Sequence, residues 1–174
     1  MTCPTSAPKL GNYESAQVLK RSKQKVSGST LVEIVIVVVI IGLLATMAYP
    51  VFIQVKNHSQ ASRIANDFRA FSGLFETYML DNGVYPADAS PGAIPTGMED
   101  YIKSSNWSEP SPIGGNYDWF YNGVGSGGIV AAVSITSYTS GDDPISKLDE
   151  IMDDGNLGTG IIQKNGGAVI YIIE

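Results

Sequence analysis

The sequence of 174 residues contains one cysteine and one histidine, and this scarcity excludes several classes of protein. Because the cysteine is Cys3, the chain after position 28 cannot form an internal disulfide bond. Cys3 also precedes the apolar stretch, whereas a lipid anchor would require the cysteine to follow it. The histidine, His58, therefore has no cysteine with which to form a catalytic pair in that part of the chain.

Other catalytic motifs are also absent from the sequence. It has no G-x-S-x-G nucleophile elbow and no phosphate-binding P-loop. The glycine-rich stretch at residues 123–128 lacks the lysine and the helix start that a phosphate site needs, so we interpret it as a turn. We therefore expect a protein that is not an enzyme.

Charge is distributed unevenly along the chain. Five of the eleven basic residues and one of the seventeen acidic residues precede position 29, so the remainder carries six basic and sixteen acidic side chains. An acidic body repels phosphate groups, and we therefore expect no nucleic-acid partner.

A long apolar stretch from Leu31 to Met47 predicts a membrane helix. As a helix it spans roughly 25 Å, which is near the lower limit for crossing a bilayer. Basic residues precede it at positions 20–25, so the positive-inside rule places the N-terminus in the cytoplasm. Two alternatives are a plain anchor and a secretory signal peptide, although residues 46–48 match a signal-peptidase site poorly.

Glu33 lies inside this apolar stretch. A carboxylate costs about 2.5–3.5 kcal/mol at the centre of a membrane helix and less near its end. A plain anchor gains nothing from that cost, so the acid predicts a function and a partner. The alternative is that Glu33 is simply favoured by the helix dipole at an N-terminus.

Residues Gly28 to Glu33, with the sequence GSTLVE, resemble the cleavage and methylation signal of type IV prepilins and type II secretion pseudopilins. Pro50 is in the register that this family shows, and YMLDNGVYP at residues 78–86 resembles the end of the long helix in major pseudopilins. The resemblance implies cleavage by prepilin peptidase after Gly28 and methylation of the new amine of Ser29. Ser29 departs from the phenylalanine or methionine that is usual there.

The resemblance also implies a role for Glu33 in filament assembly. Its carboxylate would meet the Ser29 amine of a neighbouring subunit. At about 4 Å and an effective dielectric constant of about 20, the pair attracts by roughly 4 kcal/mol before desolvation is subtracted. Gly42 and Pro50 are either tolerated in a membrane helix or, by resemblance, allow the segment between them to unwind in the filament.

The later pattern predicts an α+β fold, in which a long N-terminal helix packs on a small antiparallel sheet of about three strands. The helix should run from about Leu31 to Asp81, stop at Asn82-Gly83, and use an amphipathic face between Ala61 and Met79. The predicted strands are Tyr117–Asn122, Ile129–Thr136 and Ala168–Ile173, and the predicted short helices are Thr96–Lys103 and Pro144–Met152.

The aromatic residues Trp107, Trp119 and Tyr121 form either core or an exposed contact patch. The expected parts of the chain are a leader at 1–28, a transmembrane and assembly helix at 29–50, the soluble half of that helix at 51–82, a variable connecting region at 83–116, and the sheet with a short helix at 117–174.

An acidic cluster occupies residues 142–154. The resemblance implies a calcium site in this region, with Asp153 and Asp154 as the candidate ligands. The EF-hand spacing is absent, and a solvated acidic face is the interpretation that we prefer, with calcium as the alternative. We therefore expect no cofactor.

The expected function is that of a structural subunit in a type II secretion pseudopilus or a type IV pilus-like filament. The implied partners are copies of the chain, other pseudopilins, prepilin peptidase and an inner-membrane assembly platform. The chain would cross the bacterial inner membrane once and place its C-terminal domain in the periplasm. The alternative is a minor pilin or membrane-anchored binding module for adhesion, DNA uptake or sensing.

Overall fold

A computed structural model describes residues 30–102, 106–122 and 128–174. The chain divides into two units, residues 1–41 and 42–174. In the first unit the described part is the start of helix α1, where every side chain is exposed. The elements of the described chain are α1 at Leu31–Asn82, a 3-10 turn at Asn106–Ser108, β1 at Asn116–Tyr121, β2 at Ala131–Thr136, α2 at Asp143–Met152, β3 at Ile162–Asn165 and β4 at Ala168–Ile172.

Helix α1 ends where the sequence predicts. Gly83 follows it with a φ angle of 76°, and its N–H donates a hydrogen bond to the carbonyl of Met79 at 2.7 Å. A left-handed residue after the last turn is favoured when it is glycine, because a Cβ would add strain there. The Asn82 side chain caps the same turn by donating to the Tyr78 carbonyl at 2.9 Å.

The second half of α1 buries one face against the sheet. Phe75 stacks on Trp119 of β1 with ring centroids 3.8 Å apart, and Phe71 meets Trp107 and Tyr117 edge-on at 5.0 and 4.9 Å. Aromatic pairs at such distances add to the free energy of burial. The predicted amphipathic face is therefore confirmed, and both tryptophans belong to the core. The residues of α1 that are buried are Ala61, Ile64, Ala65, Phe68, Phe71, Ser72 and Phe75.

The sheet has four antiparallel strands in the order β1-β2-β4-β3. Trp119 lies opposite Val133, which in turn lies opposite Tyr171 of β4. Since side chains alternate between the two faces of a strand, this row points to the same face of the sheet. Tyr171 also stacks on Phe68 of α1, so this face is the one that the helix covers.

The prediction of about three strands missed β3. Ile162–Asn165 reads IQKN, which is too short and polar to predict a strand by itself. Its pairing with β4 depends on the two-residue connection Gly166-Gly167, a dipeptide that favours tight hairpin turns. That glycine pair was the available sequence signal for the fourth strand.

The connecting region is held to the core by hydrogen bonds rather than by a helix. The predicted helix at Thr96–Lys103 is wrong: the described residues 96–102 form consecutive turns. Met98 is fully buried there, so packing of its side chain, and not a regular helix, holds this segment on the core. The indole N–H of Trp107 donates to the Ala93 carbonyl at 2.8 Å, and that of Trp119 donates to the Pro86 carbonyl at 3.0 Å.

Candidate functional site

The N-terminal segment carries the first candidate site. Gly28 and Ser29 lie outside the described residues. Glu33 occupies the first turn of α1, and its backbone N–H approaches the hydroxyl oxygen of Thr30 at 3.4 Å. Thr30-x-x-Glu33 has the spacing of a capping box, in which a hydroxyl accepts from the third N–H of the helix. The sequence interpretation considered the helix dipole for Glu33 but missed this capping spacing.

Gly42 and Pro50 both lie within α1, which the structure shows as regular helix through both positions. No atom lies within 4 Å of the place that a Cβ on Gly42 would occupy, so the glycine is not required by packing within this chain. Pro50 has no N–H, which leaves the carbonyl of Thr46 without its usual helical donor. The Thr46 hydroxyl donates to the Leu43 carbonyl at 2.7 Å in the same turn.

The acidic loop after α2 is the second candidate site. Asp154 accepts hydrogen bonds from the Asn156 N–H and from the Thr159 hydroxyl, both at 2.8 Å. Asn156 in turn accepts from the Gly158 N–H at 3.1 Å. These bonds let the side chains of Asp154 and Asn156 organise the backbone of residues 154–159, because short polar side chains replace missing main-chain partners in turns.

Asp153 joins this loop to the edge strand. Its Oδ2 accepts hydrogen bonds from the N–H groups of Ile161 and Ile162, the latter at 3.0 Å. Gly160 makes this approach possible: it has a φ angle of 76°, and an added Cβ would overlap the Asp153 carboxylate. The carboxylate therefore lies directly over the backbone at the start of β3.

Asp149, on the last turns of α2, is the third acid of the site. It is fully buried, and neither of its carboxylate oxygens has a hydrogen-bond partner among the described residues. Burial raises the pKa of this carboxyl above its ordinary value, and the nearby charges of Asp154, Asp153 and Glu150 raise it further, while the approach of the Gly155 backbone N–H lowers it in part. A buried carboxyl without a partner is costly when it is ionised, so the negative charge of Asp149 is unfavourable in this position.

The ligand oxygens of Asp149, Asp153 and Asp154 all lie within 4.8 Å of one another. Three converging carboxylates, one of them buried and unpartnered, fit a hard cation with oxygen ligands such as calcium. The structure thus brings the two predicted ligands together with a third. Asp142 of the same acidic cluster points elsewhere and pairs with Lys164 at 2.6 Å.

Comparisons with known proteins agree with the N-terminal motif. Residues 23–49 match the family model described as the prokaryotic N-terminal methylation motif. The fimbrial protein EcpC of Eikenella corrodens is 39% identical over 83 residues, which cover 47% of this chain and 54% of EcpC. The type II secretion system core protein G of Pseudomonas aeruginosa is 30% identical over 98 residues, covering 56% of this chain and 64% of that protein.

One relative matches a longer part of the chain, and one solved structure is similar to it. The core protein G of Dickeya chrysanthemi is 27% identical over 149 residues, covering 80% of this chain and 92% of its own. Among solved structures, the major type IV pilin PilA1 of Clostridium difficile is similar over 68% of this chain and 97% of its own, with a TM-score of 0.49 and 18% identity. The chain spans 54% and 64% of the length of the first two relatives.

The chain thus combines an N-terminal methylation motif at residues 23–49, an apolar first helix and a domain in which the second half of that helix packs on a sheet. Its similarity to the type II secretion system core protein G of Pseudomonas aeruginosa and of Dickeya chrysanthemi extends well beyond the motif itself.

Proposed function

We propose that the chain is a structural subunit of a type II secretion pseudopilus or of a type IV pilus-like filament. The observation that carries the proposal is the coincidence of the methylation motif with an unburied apolar helix. The most apolar 18-residue window of α1 has a mean hydropathy of 2.8, and none of it is buried within the chain. Such a surface needs a bilayer or neighbouring subunits to cover it.

The proposed processing and assembly of the subunit follow from this exposed apolar surface. Prepilin peptidase cuts after Gly28 on the cytoplasmic side, and the chain stays in the inner membrane with residues 51–174 in the periplasm. An assembly platform then transfers it into a filament, where residues 29–50 pack against the same segment of other subunits. The role is structural, and the core protein G relatives support the pseudopilus form of it.

Mass spectrometry of the N-terminus tests the processing step. The chain purified from bacterial membranes that contain prepilin peptidase should begin at Ser29 and carry one added methyl group. A strain without the peptidase is the control and should yield a chain that retains residues 1–28. A chain that still begins before Ser29 in assembled filaments would contradict the proposal.

Substitutions at Glu33 separate its charge from its position at the helix start. Glu33→Gln keeps the capping-box geometry, since glutamine serves at that position, but removes the charge. Glu33→Val removes both, and Thr30→Ala removes only the capping hydroxyl. If the charge pairs with the Ser29 amine of a neighbour, both Glu33 variants lose filaments in a shearing assay while remaining cleaved and inserted, and Thr30→Ala assembles.

If Glu33→Gln instead assembles normally while Thr30→Ala does not, Glu33 acts as a cap and the charge-pair mechanism is wrong. A chain that assembles no filament in any form, but binds DNA or a surface as a monomer, would support the alternative of a membrane-anchored binding module.

We also propose that Asp149, Asp153 and Asp154 hold calcium. The unpartnered carboxylate of Asp149 supports this, because a divalent cation would neutralise a charge that no described side chain balances. When bound, the cation would link the end of α2 to the loop that leads into β3. Since a ligand that binds only the folded state stabilises it, adding millimolar calcium to the EGTA-treated protein should raise its melting temperature. Equal magnesium is the control, and no preference for calcium would contradict the assignment.

A further inference from the structure

Two adjoining cavities open beside α1 where its apolar stretch ends. Their volumes are about 430 and 620 Å³, within the range of small-ligand sites. Gln54 of α1 and Lys147 of α2 line both of them, so the two form one continuous groove between the helices. We refer to it as the Gln54–Lys147 groove.

One side of this groove is apolar and the other carries both signs of charge. Tyr49 and Ile53 contribute apolar surface from α1. Asp143 and Lys147, from the first turns of α2, also line this cavity and bring one acidic and one basic residue to it. The Lys147 ammonium contacts Glu150 on its own helix, and its side chain is 47% exposed, so it remains accessible from the groove.

The residues around the groove place it at the boundary between the hydrocarbon of a bilayer and water. Val55, which lines the groove, and Phe52, which is close to it in the sequence, have exposed fractions of 63% and 68%, which suits the edge of a bilayer. Tyrosines such as Tyr49 concentrate at the membrane–water boundary. The charged start of α2 cannot enter hydrocarbon without a large cost, so an inserted α1 places the groove at the level of the lipid headgroups.

We propose that the Gln54–Lys147 groove binds the headgroup of phosphatidylethanolamine. The lipid phosphate is held by the Lys147 ammonium, the primary amine of the lipid is held by the Asp143 carboxylate, and the start of an acyl chain covers Tyr49 and Ile53. A groove with one cation and one anion complements a zwitterionic headgroup better than a purely anionic one. This inference rests on the proposal that the chain is anchored in a membrane.

Native mass spectrometry of the full chain in lipid nanodiscs tests the groove. One set of nanodiscs contains phosphatidylethanolamine and phosphatidylglycerol, and the other replaces the phosphatidylethanolamine with phosphatidylcholine, which has no N–H donor. The wild-type chain should retain phosphatidylethanolamine several-fold more often than phosphatidylcholine. Lys147→Ser should reduce the number of retained lipids, and Asp143→Asn should abolish the preference between the two.

Lys164→Ser is the matched control. Lys164 also pairs with a carboxylate on the protein surface, at Asp142, but it does not line the groove. This variant should retain phosphatidylethanolamine as the wild type does, and circular dichroism should show the same helix content for all variants. Glu150→Gln, which removes only the partner of Lys147, should leave the lipid preference in place or increase it.

Equal retention of both lipids by the wild type, or unchanged retention in Lys147→Ser, overturns the inference while leaving the filament proposal intact. So does a photocrosslinker at Asn57, a groove-lining position, that captures a second copy of the chain and no lipid. A chain that fails to reach the membrane fraction at all contradicts the proposed function itself.

Discussion

At the scale of single residues, Asp149 combines complete burial with a carboxylate that no described group balances. Its pKa is raised mainly by burial, so ionisation opposes folding. The stability penalty is absent below the pKa of the unfolded chain, about 3.9, and develops as the pH rises towards the higher pKa of the folded state. The same charge becomes favourable when a cation neutralises it.

The Asp149 charge should destabilise the fold without a bound cation and stabilise it with one, and this difference gives a test of the calcium site. Asp149→Asn should raise the melting temperature at pH 7 in EGTA, because it removes an unbalanced buried charge. In calcium the same substitution should lower the melting temperature relative to wild type. Thermal unfolding followed by tryptophan fluorescence measures both, and a variant that is stabilised equally with and without calcium would contradict the site.

Gly160 is the second residue with a decisive local role. Gly160→Ala places a methyl group on the Asp153 carboxylate and holds alanine at a positive φ angle, so we expect the free energy of unfolding to fall by about 1–3 kcal/mol. Gly158→Ala is the matched control in the same loop. Its Cβ would meet only the Asn156 side chain at 3.5 Å, which is ordinary contact. Urea unfolding in detergent compares the two, and equal losses would contradict the role of the Asp153 contact.

At the scale of elements, the interface between α1 and the sheet depends on its aromatic pairs. Phe75 is fully buried and stacks on Trp119, so Phe75→Ala should lower the free energy of unfolding by about 3–5 kcal/mol. Leu80→Ala on the same helix is the control, because Leu80 is 77% exposed and its loss should cost little. Urea unfolding should separate the two variants clearly, and a similar cost for both would show that the helix does not pack as described.

The strand β3 is also an element-scale result. It is a short edge strand carrying Lys164, whose charge discourages pairing with another sheet. Its start is held by Asp153 and its end by the turn at residues 166–167. Asp153 therefore belongs both to the candidate calcium site and to the contacts that hold β3. The stability of this sheet edge thus depends on the acidic loop.

At the scale of the whole molecule, unbalanced acids should make the folded protein more stable at mildly acidic pH. Asp118 lies on β1, and one of its carboxylate oxygens is buried without a hydrogen-bond partner in the described part of the chain. Burial and then the nearby charge of Asp88 raise its pKa to about 6. Because the folded-state pKa is raised, its contribution to stability is lost as the pH increases from about 4 towards 6 and beyond.

Asp118→Asn should therefore increase the free energy of unfolding at pH 8 by about 1–3 kcal/mol and have little effect at pH 4. Asp100→Asn, at an exposed position, should change it by less than about 0.5 kcal/mol at either pH. Urea unfolding across this pH range in EGTA provides the measurement. A constant difference between Asp118→Asn and wild type at all pH values would exclude titration of this carboxyl as the cause.

The sequence by itself determined the features that depend on local pattern. The apolar run after Gly28, the repeat of apolar residues from Ala61 to Met79 and the stop at Gly83 predicted α1 and its buried face, because helix periodicity and glycine caps are short-range properties. The N-terminal methylation motif is likewise a contiguous segment, and the match over residues 23–49 agrees with its identification from the sequence.

Tertiary structure decided what depends on contacts between distant residues. The strand β3 exists through pairing with β4, and Met98 is buried in turns where local propensity favoured a helix. Acidic residues near the C-terminus could be counted in the sequence, but only the fold shows that Asp149 is buried beside Asp153 and Asp154 while Asp142 turns to Lys164. Burial and convergence of charges arise from packing between elements, which no local pattern encodes.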